Sequence, residues 1–303
     1  MVTGRAIRFR PDRRAILTAA GLVLAAGLPL RAATPAGPRL AAIDWAMLET
    51  AVALGHMPVA ACELIRFRQD AVEPQIPADV TDLGLRGAPN FELLQLVRPD
   101  LILSSPYYTG YQHRLEPLAP VLSLPFFDPG QPPLPKAMAA LYDLAAALDD
   151  ASAADRATDE ANAAFDRQRT ALAGHADRPV CLINIGDARH IRVFGFDSLF
   201  GSTLARLGLT NAWGEATAFS FLAPVPIDRL AGMPDARLVV IGDVPPQARH
   251  GLARSVLWQR LPAVAGGRLY HLPRMNAFGA VPSALRFARH LAEAFAAGPV
   301  AAI

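Results

Sequence analysis

The chain has 303 residues, 52% of them apolar and 18% charged, which is too apolar for a disordered protein and longer than one ordinary domain. With 29 basic against 27 acidic side chains it lacks the positive excess that nucleic-acid binding draws on. Its two cysteines, Cys62 and Cys181, cannot build a zinc knuckle or a disulfide framework, and both read as buried thiols.

Arg5, Arg8, Arg10, Arg13 and Arg14 precede a 16-residue apolar run, Ala15 to Leu30, followed by small residues from Ala32 to Ala36. That is the pattern of a cleaved signal peptide over residues 1–36. The run falls short of the roughly 20 residues that span a bilayer. Asp12-Arg13-Arg14-Ala15-Ile16-Leu17 resembles a twin-arginine export motif, and a chance arginine pair in a basic leader reads almost equally well. No cysteine lies near the cleavage region to carry a lipid, so the expected product is an unanchored periplasmic protein. Its leader gone, the chain keeps 23 basic and 26 acidic groups.

From Leu40 to Arg98 short apolar segments alternate with Pro and Gly, and Leu101 to Ser104 predicts a buried strand. Between Pro135 and Asp177 the apolar residues recur at helical spacing in an Ala-rich stretch, predicting one long helix with a potential break near Asp149-Asp150. Beyond it, Val180 to Ile185, Ile191 to Phe194 and Leu238 to Ile241 predict strands, and Ser198 to Leu207 predicts a helix ended by Gly208. The division is therefore an α/β lobe over 37–135, a bridging helix over 136–177 and a second α/β lobe over 178–303. A weak repeat supports it: Phe91-Glu92-Leu93-Leu94 before Pro99-Asp100-Leu101-Ile102-Leu103 has a counterpart in Ile227-Asp228-Arg229-Leu230 before Pro234-Asp235 and Leu238 to Ile241. An acidic residue in a helix's first turn meets the positive end of the helix dipole, which by itself accounts for Glu92 and Asp228.

Several ordered blocks carry a family resemblance. Ala42-Ile43-Asp44-Trp45, the run Asp82-Leu83-Gly84-Leu85-Arg86-Gly87-Ala88-Pro89-Asn90-Phe91-Glu92, and Arg98-Pro99-Asp100-Leu101-Ile102-Leu103-Ser104 are similar to the first lobe of iron-siderophore periplasmic binding proteins, and specifically to the ferric-hydroxamate, ferrichrome-type branch. Val193-Phe194-Gly195, Asn211-Ala212-Trp213 and Ile227-Asp228-Arg229-Leu230 extend the likeness over most of the chain after the leader. The resemblance implies an α/β fold of two lobes bridged by one long α-helix, the class III or helical-backbone architecture. It implies a monomeric carrier that is not an enzyme, needs no cofactor, holds an Fe(III)-siderophore in the inter-lobe cleft and delivers it to an inner-membrane ABC permease. Arg86 and Tyr108 match the family's hydroxamate-contacting arginine and tyrosine. Phe219, Phe221, Asn276 and Phe278 fall where the family lines its cleft, although Phe219 and Phe221 read equally well as one face of a core strand, and Tyr107 reads as either a cleft or a packing aromatic. Glu92 and Asp228 match its importer-docking acids. Asp70, Ser104, Ser220 and Asn276 stand where the branch carries tryptophans, which leaves room for Arg274 or Arg68 to meet a ligand carboxylate.

The chemistry of the ligand agrees with this composition. A ferric trihydroxamate is neutral at the metal and needs aromatic walls with one or two fixed donors, whereas triscatecholates are strongly anionic and call for several Arg or Lys groups. Hydrolase, zinc-protease and nucleotide-binding signatures (G-x-S-x-G, H-E-x-x-H, G-x-G-x-x-G) are absent from the sequence. Haem or cobalamin in the same architecture is the alternative, with the Tyr107 to Tyr111 cluster as a haem ligand source, and a direct metal site is a more distant one.

Overall fold

The computed structural model describes residues 37–217 and 224–303, so the leader expected over 1–36 lies outside the described residues. Strands β1 (Leu40–Ala42), β2 (Ala60–Ala61) and β3 (Thr81–Asp82) open the first sheet. A hairpin of β4 (Gly84–Leu85) and β5 (Ala88–Pro89) follows, and β6 (Leu101–Ser104) and β7 (Val121–Ser123) complete the sheet. The sheet is parallel, in the order β3-β2-β1-β6-β7. The chain therefore grows outward from β1 to β3 and then returns to the other side of β1. Strand order reverses between β1 and β6, and a crevice at the carboxyl ends of two such strands is where open α/β sheets take ligands.

The second sheet holds β8 (Val180–Ile185), β9 (His190–Val193), β10 (Val225–Pro226), β11 (Arg237–Ile241) and β12 (Leu269–Leu272), in the order β10-β9-β8-β11-β12. β8, β11 and β12 run parallel, while β9 is antiparallel to both its neighbours. Gly208 at φ +76° closes the helix Leu199–Arg206, whose first turn is capped by the Ser198 side chain.

The stretch expected to be one long helix is two. Pro133–Ala147 and Ala151–Leu172 are separated at Asp149, which takes φ +54°, and Asp150 caps the second helix by accepting from Ala153 N at 3.2 Å. Short polar residues tolerate the left-handed region and compete for free helical N–H groups, so the Asp149-Asp150 pair ends one helix and starts the next. The 22-residue second helix, about 33 Å long at 1.5 Å per residue, carries the chain toward the second sheet.

Period-2 alternation sorts each sheet into two faces. Ala41, Ile43, Ile102 and Leu94 form an outer core on the first sheet, and Cys181, Ile183, Ile191, Val193, Leu238 and Val240 form one on the second. The inner faces, with Leu40, Leu103, Leu182, Val239 and Leu272, share one continuous core with the helices Trp45–Ala53, Pro133–Ala147, Ala151–Leu172, Leu199–Arg206 and Val281–Ala297. Phe200 and Phe287 stack at 4.9 Å in its middle. Both lobes thus bury their inner faces in the same apolar interior. Cys62 and Cys181 are buried free thiols whose ionisation burial pushes up to about 12. Among the described residues no helix is long and apolar enough to cross a membrane.

Candidate functional site

Asp44 leaves the end of β1 and Ser105 leaves β6, and they meet at the reversal point, where Ser105 Oγ donates to Asp44 Oδ2 at 2.9 Å. Asp44 is also the cap of the helix Trp45–Ala53, accepting from Ala46 N at 2.7 Å. Its burial pushes the carboxyl above the usual range, while the Ser105 and backbone donors hold it down. These two residues floor a cavity of about 230 Å³ walled by Tyr107, Tyr108, Phe126, Phe127 and Phe278, with Arg86 at its edge.

Arg86 sits in the two-residue turn between β4 and β5, where Leu85 pairs with Ala88. Its Nε donates to Glu63 Oε2 at 2.9 Å and its guanidinium lies 4.0 Å from the Trp45 ring centroid. Glu63 reaches it from an unusual backbone, φ +53° just before the helix Leu64–Asp70. Tyr111 donates its hydroxyl to the Arg86 carbonyl and packs edge-on against Phe91 at 5.8 Å, so it braces the hairpin. One edge of the fork is spent, and the two Nη groups have no hydrogen-bond partner among the described residues.

Tyr108 follows β6 in the 3₁₀ turn Pro106–Tyr111 and is half-buried, its ring 6.1 Å from that of Tyr111. Burial and then the nearby Asp44 charge push its ionisation up to about 12. The phenol therefore stays protonated near neutrality and presents a donor. Tyr107, 65% exposed, forms the outer lip.

Arg86 and Phe278 also border a second cavity of about 510 Å³, which lies against the carboxyl ends of β8, β11 and β12 and includes Asn184, Arg192, Gly242, Asp243 and Arg274. Phe278 meets Phe127 edge-on at 5.4 Å, an aromatic contact from one lobe to the other. Asn276 borders this cavity with both polar ends committed: Nδ2 donates to Glu49 Oε1 at 2.9 Å and Oδ1 accepts from Phe278 N at 3.0 Å. Arg274 binds Asp70 at 2.7 Å and Asp243 at 2.9 Å, and Arg68 donates to the carbonyls of Ile76 and Pro77, so both already have partners within the protein.

Arg86, Tyr107, Tyr108 and Phe278 thus line the first cavity, while Asn276 lines the second, which Arg86 and Phe278 also border. Phe219 and Phe221 lie outside the described residues. Glu92 and Asp228 are exposed in the first turns of Phe91–Val97 and Ile227–Gly232, the segments that precede β6 and β11 in the two sheets. Sequence reasoning passed over Asp44, Glu63, Ser105, Phe127 and Asn184 as site residues, because each acquires its place through a loop or a partner distant in the chain. Only Asp44 and Ser105 were open to detection, as the first polar residues beyond two apolar strands. Among the described residues no group of three or more His, Cys, Asp or Glu is set to hold a metal.

A family model for periplasmic binding proteins matches residues 40–275. The chain belongs to that family. It is 33% identical over 256 residues to the iron(3+)-hydroxamate-binding protein FhuD of Escherichia coli (strain K12), an overlap covering 84% of this chain and 86% of the relative. Among solved structures, the siderophore binding protein FhuD from Vibrio cholerae, bound to Fe3+-Desferal, superposes with a TM-score of 0.78 at 24% identity, covering 86% of this chain and 99% of that one. Staphylococcus aureus SirA superposes with a TM-score of 0.63 at 18% identity, over 85% of this chain and 98% of its own. As a periplasmic binding protein the chain has the two-lobed, helix-bridged α/β fold that its sequence blocks imply.

Proposed function

We propose that this periplasmic binding protein captures a ferric hydroxamate-type siderophore between its two sheets and delivers it to an inner-membrane ABC importer. One observation carries the reading: the unpartnered Nη pair of Arg86 and the protonated phenol of Tyr108 line one aromatic cavity at the point where strand order reverses. A hydroxamate offers two adjacent oxygens, which suit a planar fork and a single O–H donor. The aliphatic linkers of the chelate suit Phe126, Phe127 and Phe278. The likeness to the hydroxamate-binding relative of Escherichia coli supports the same ligand class. The chain acts without catalysis, as an exported monomer freed of residues 1–36, and it binds iron only through the chelate.

Glu92 and Asp228, exposed at matching places in the two lobes, serve as the docking acids. Rim charges of this kind give orientation and association rate more than affinity.

Native mass spectrometry of the purified protein with a panel of ferric hydroxamates, ferric catecholates, haem and cobalamin tests the assignment, because the retained mass names the ligand. Retention of a ferric hydroxamate is expected; exclusive retention of haem or cobalamin overturns the proposal.

A further inference from the structure

The larger cavity carries four guanidiniums, and three of them are balanced. Arg66 pairs with Asp70 at 3.0 Å, Arg274 with Asp70 and Asp243, and Arg86 with Glu63. Arg192 is the exception. It has no ion-pair or hydrogen-bond partner among the described residues, although it borders the same cavity.

Its position follows from strand geometry. On β9, Ile191 and Val193 point into the outer core of the second sheet, so Arg192 projects from the opposite face. There it stands directly across the strand pair from Asn184, and Asn184 occupies the inner-face row of Val180 and Leu182. The apolar inner core therefore ends at Asn184 and Arg192, and the cavity begins. Asn184 is held by its amide donating to Ile241 O at 2.8 Å, which fixes the strand edge beside the guanidinium.

An uncompensated arginine in a cleft that a ligand will fill loses water on binding, and it recovers that cost only if the ligand brings an acceptor. A neutral ferric trihydroxamate brings none of full charge. A chelate with a free carboxylate brings an oxygen pair matched to the guanidinium fork. We propose that Arg192 is a specificity-determining residue that pairs with a carboxylate on the bound ferric hydroxamate, so the preferred ligand class is a hydroxamate chelate bearing at least one free carboxylate. This rests on the siderophore reading above and narrows it; the carboxylate partner is then Arg192 on β9, in place of Arg274 in the loop after β12 or Arg68 on the helix Leu64–Asp70.

The experiment compares a neutral cyclic ferric trihydroxamate with a citrate-derived ferric dihydroxamate that keeps a free carboxylate. Binding of each to the wild-type chain, Arg192→Leu and Arg192→Lys is followed by tryptophan quenching at low and high salt. A charge-assisted hydrogen bond predicts that Arg192→Leu weakens the carboxylate chelate roughly tenfold or more, leaves the neutral one within about twofold, and removes the salt dependence of the difference. Arg192→Lys keeps the charge but not the fork and falls between. Retained affinity for the neutral chelate also shows that the leucine variant is folded. Equal weakening of both chelates, or of neither, overturns the role of Arg192 while leaving the siderophore reading intact. A wild-type chain that binds neither chelate overturns both.

Discussion

Arg86 is held on three sides, by Glu63, by the Trp45 ring and, through its own carbonyl, by Tyr111. A side chain fixed in this way loses little freedom when a ligand arrives, so its hydrogen bonds contribute nearly their full strength. Arg86→Ala is expected to weaken a ferric hydroxamate by roughly tenfold to a hundredfold, the range of charge-assisted hydrogen bonds, and Tyr108→Phe by about tenfold. Titration by quenching of Trp45 reads both, and unchanged affinity in the two variants would move the site elsewhere. Because burial raises the ionisation of Tyr108 above its ordinary value, its donor is constant across the neutral range and adds no pH dependence to binding there. Both residues are singled out by the family resemblance, Arg86 in a Gly-flanked turn that by itself reads as well as a surface position and Tyr108 just beyond a buried strand. Glu63 is not, because only the folded chain brings a helix-preceding acid to a hairpin 23 residues away. Arg192 is half legible: the Ile191-Arg192-Val193 alternation marks it as facing away from a core, but which face borders a cavity depends on the other lobe.

At the scale of elements, one buried carboxylate joins two of them. Glu49, fully buried on the helix Trp45–Ala53, accepts from Asn276 Nδ2, Ala280 N, Ser283 N and Ser283 Oγ at 2.7 to 3.2 Å. It thereby pins the loop that carries Phe278 and the start of the helix Val281–Ala297. A Cβ on Gly279 would run into Ser283 and the Glu49 carboxylate, so this approach demands glycine and Gly279→Ala would break the cluster. Burial pushes Glu49 up to about 7 against the pull of its donors. An acid whose folded value is raised binds more protons folded than unfolded. Its contribution to stability is therefore full below its ordinary value of 4.5 and is lost as pH rises toward about 7. The loss is on the order of 3 kcal/mol, and Glu49→Gln is expected to flatten that part of the stability curve in urea unfolding at pH 5 and pH 7.5. An unchanged slope would mean that the carboxylate is not the titrating group. An acid inside the apolar run Trp45 to Ala53 reads from sequence as a surface position; its partners lie more than 220 residues away, beyond the reach of any periodicity. The break at Asp149 is legible only as an acidic pair, since whether two helices stack or continue is decided by the packing of Pro133–Ala147 on Ala151–Leu172.

At the scale of the molecule, the two sheets share an interior instead of meeting at a hinge. The helix Val281–Ala297 packs against Trp45–Ala53 from the first lobe, Leu199–Arg206 from the second and the bridging helix Ala151–Leu172. Opening the cleft widely would expose this shared core at roughly 25 cal/mol for each Å² of apolar surface. The radius of gyration from solution scattering is accordingly expected to stay the same, within error, when a ferric hydroxamate is added. A contraction of several ångströms would show that the common core yields after all. The alternation of helices and strands makes the two lobes legible, but not that their inner faces fuse, because pattern separates buried from exposed without saying which buried faces touch.

That fusion bears on how a membrane transporter would tell a filled carrier from an empty one. If Glu92 and Asp228 are the docking acids proposed above and their spacing is the same in both states, a transporter cannot gauge occupancy from it. Empty protein would then compete for the same landing place, and uptake would slow when unfilled carrier outnumbers its cargo.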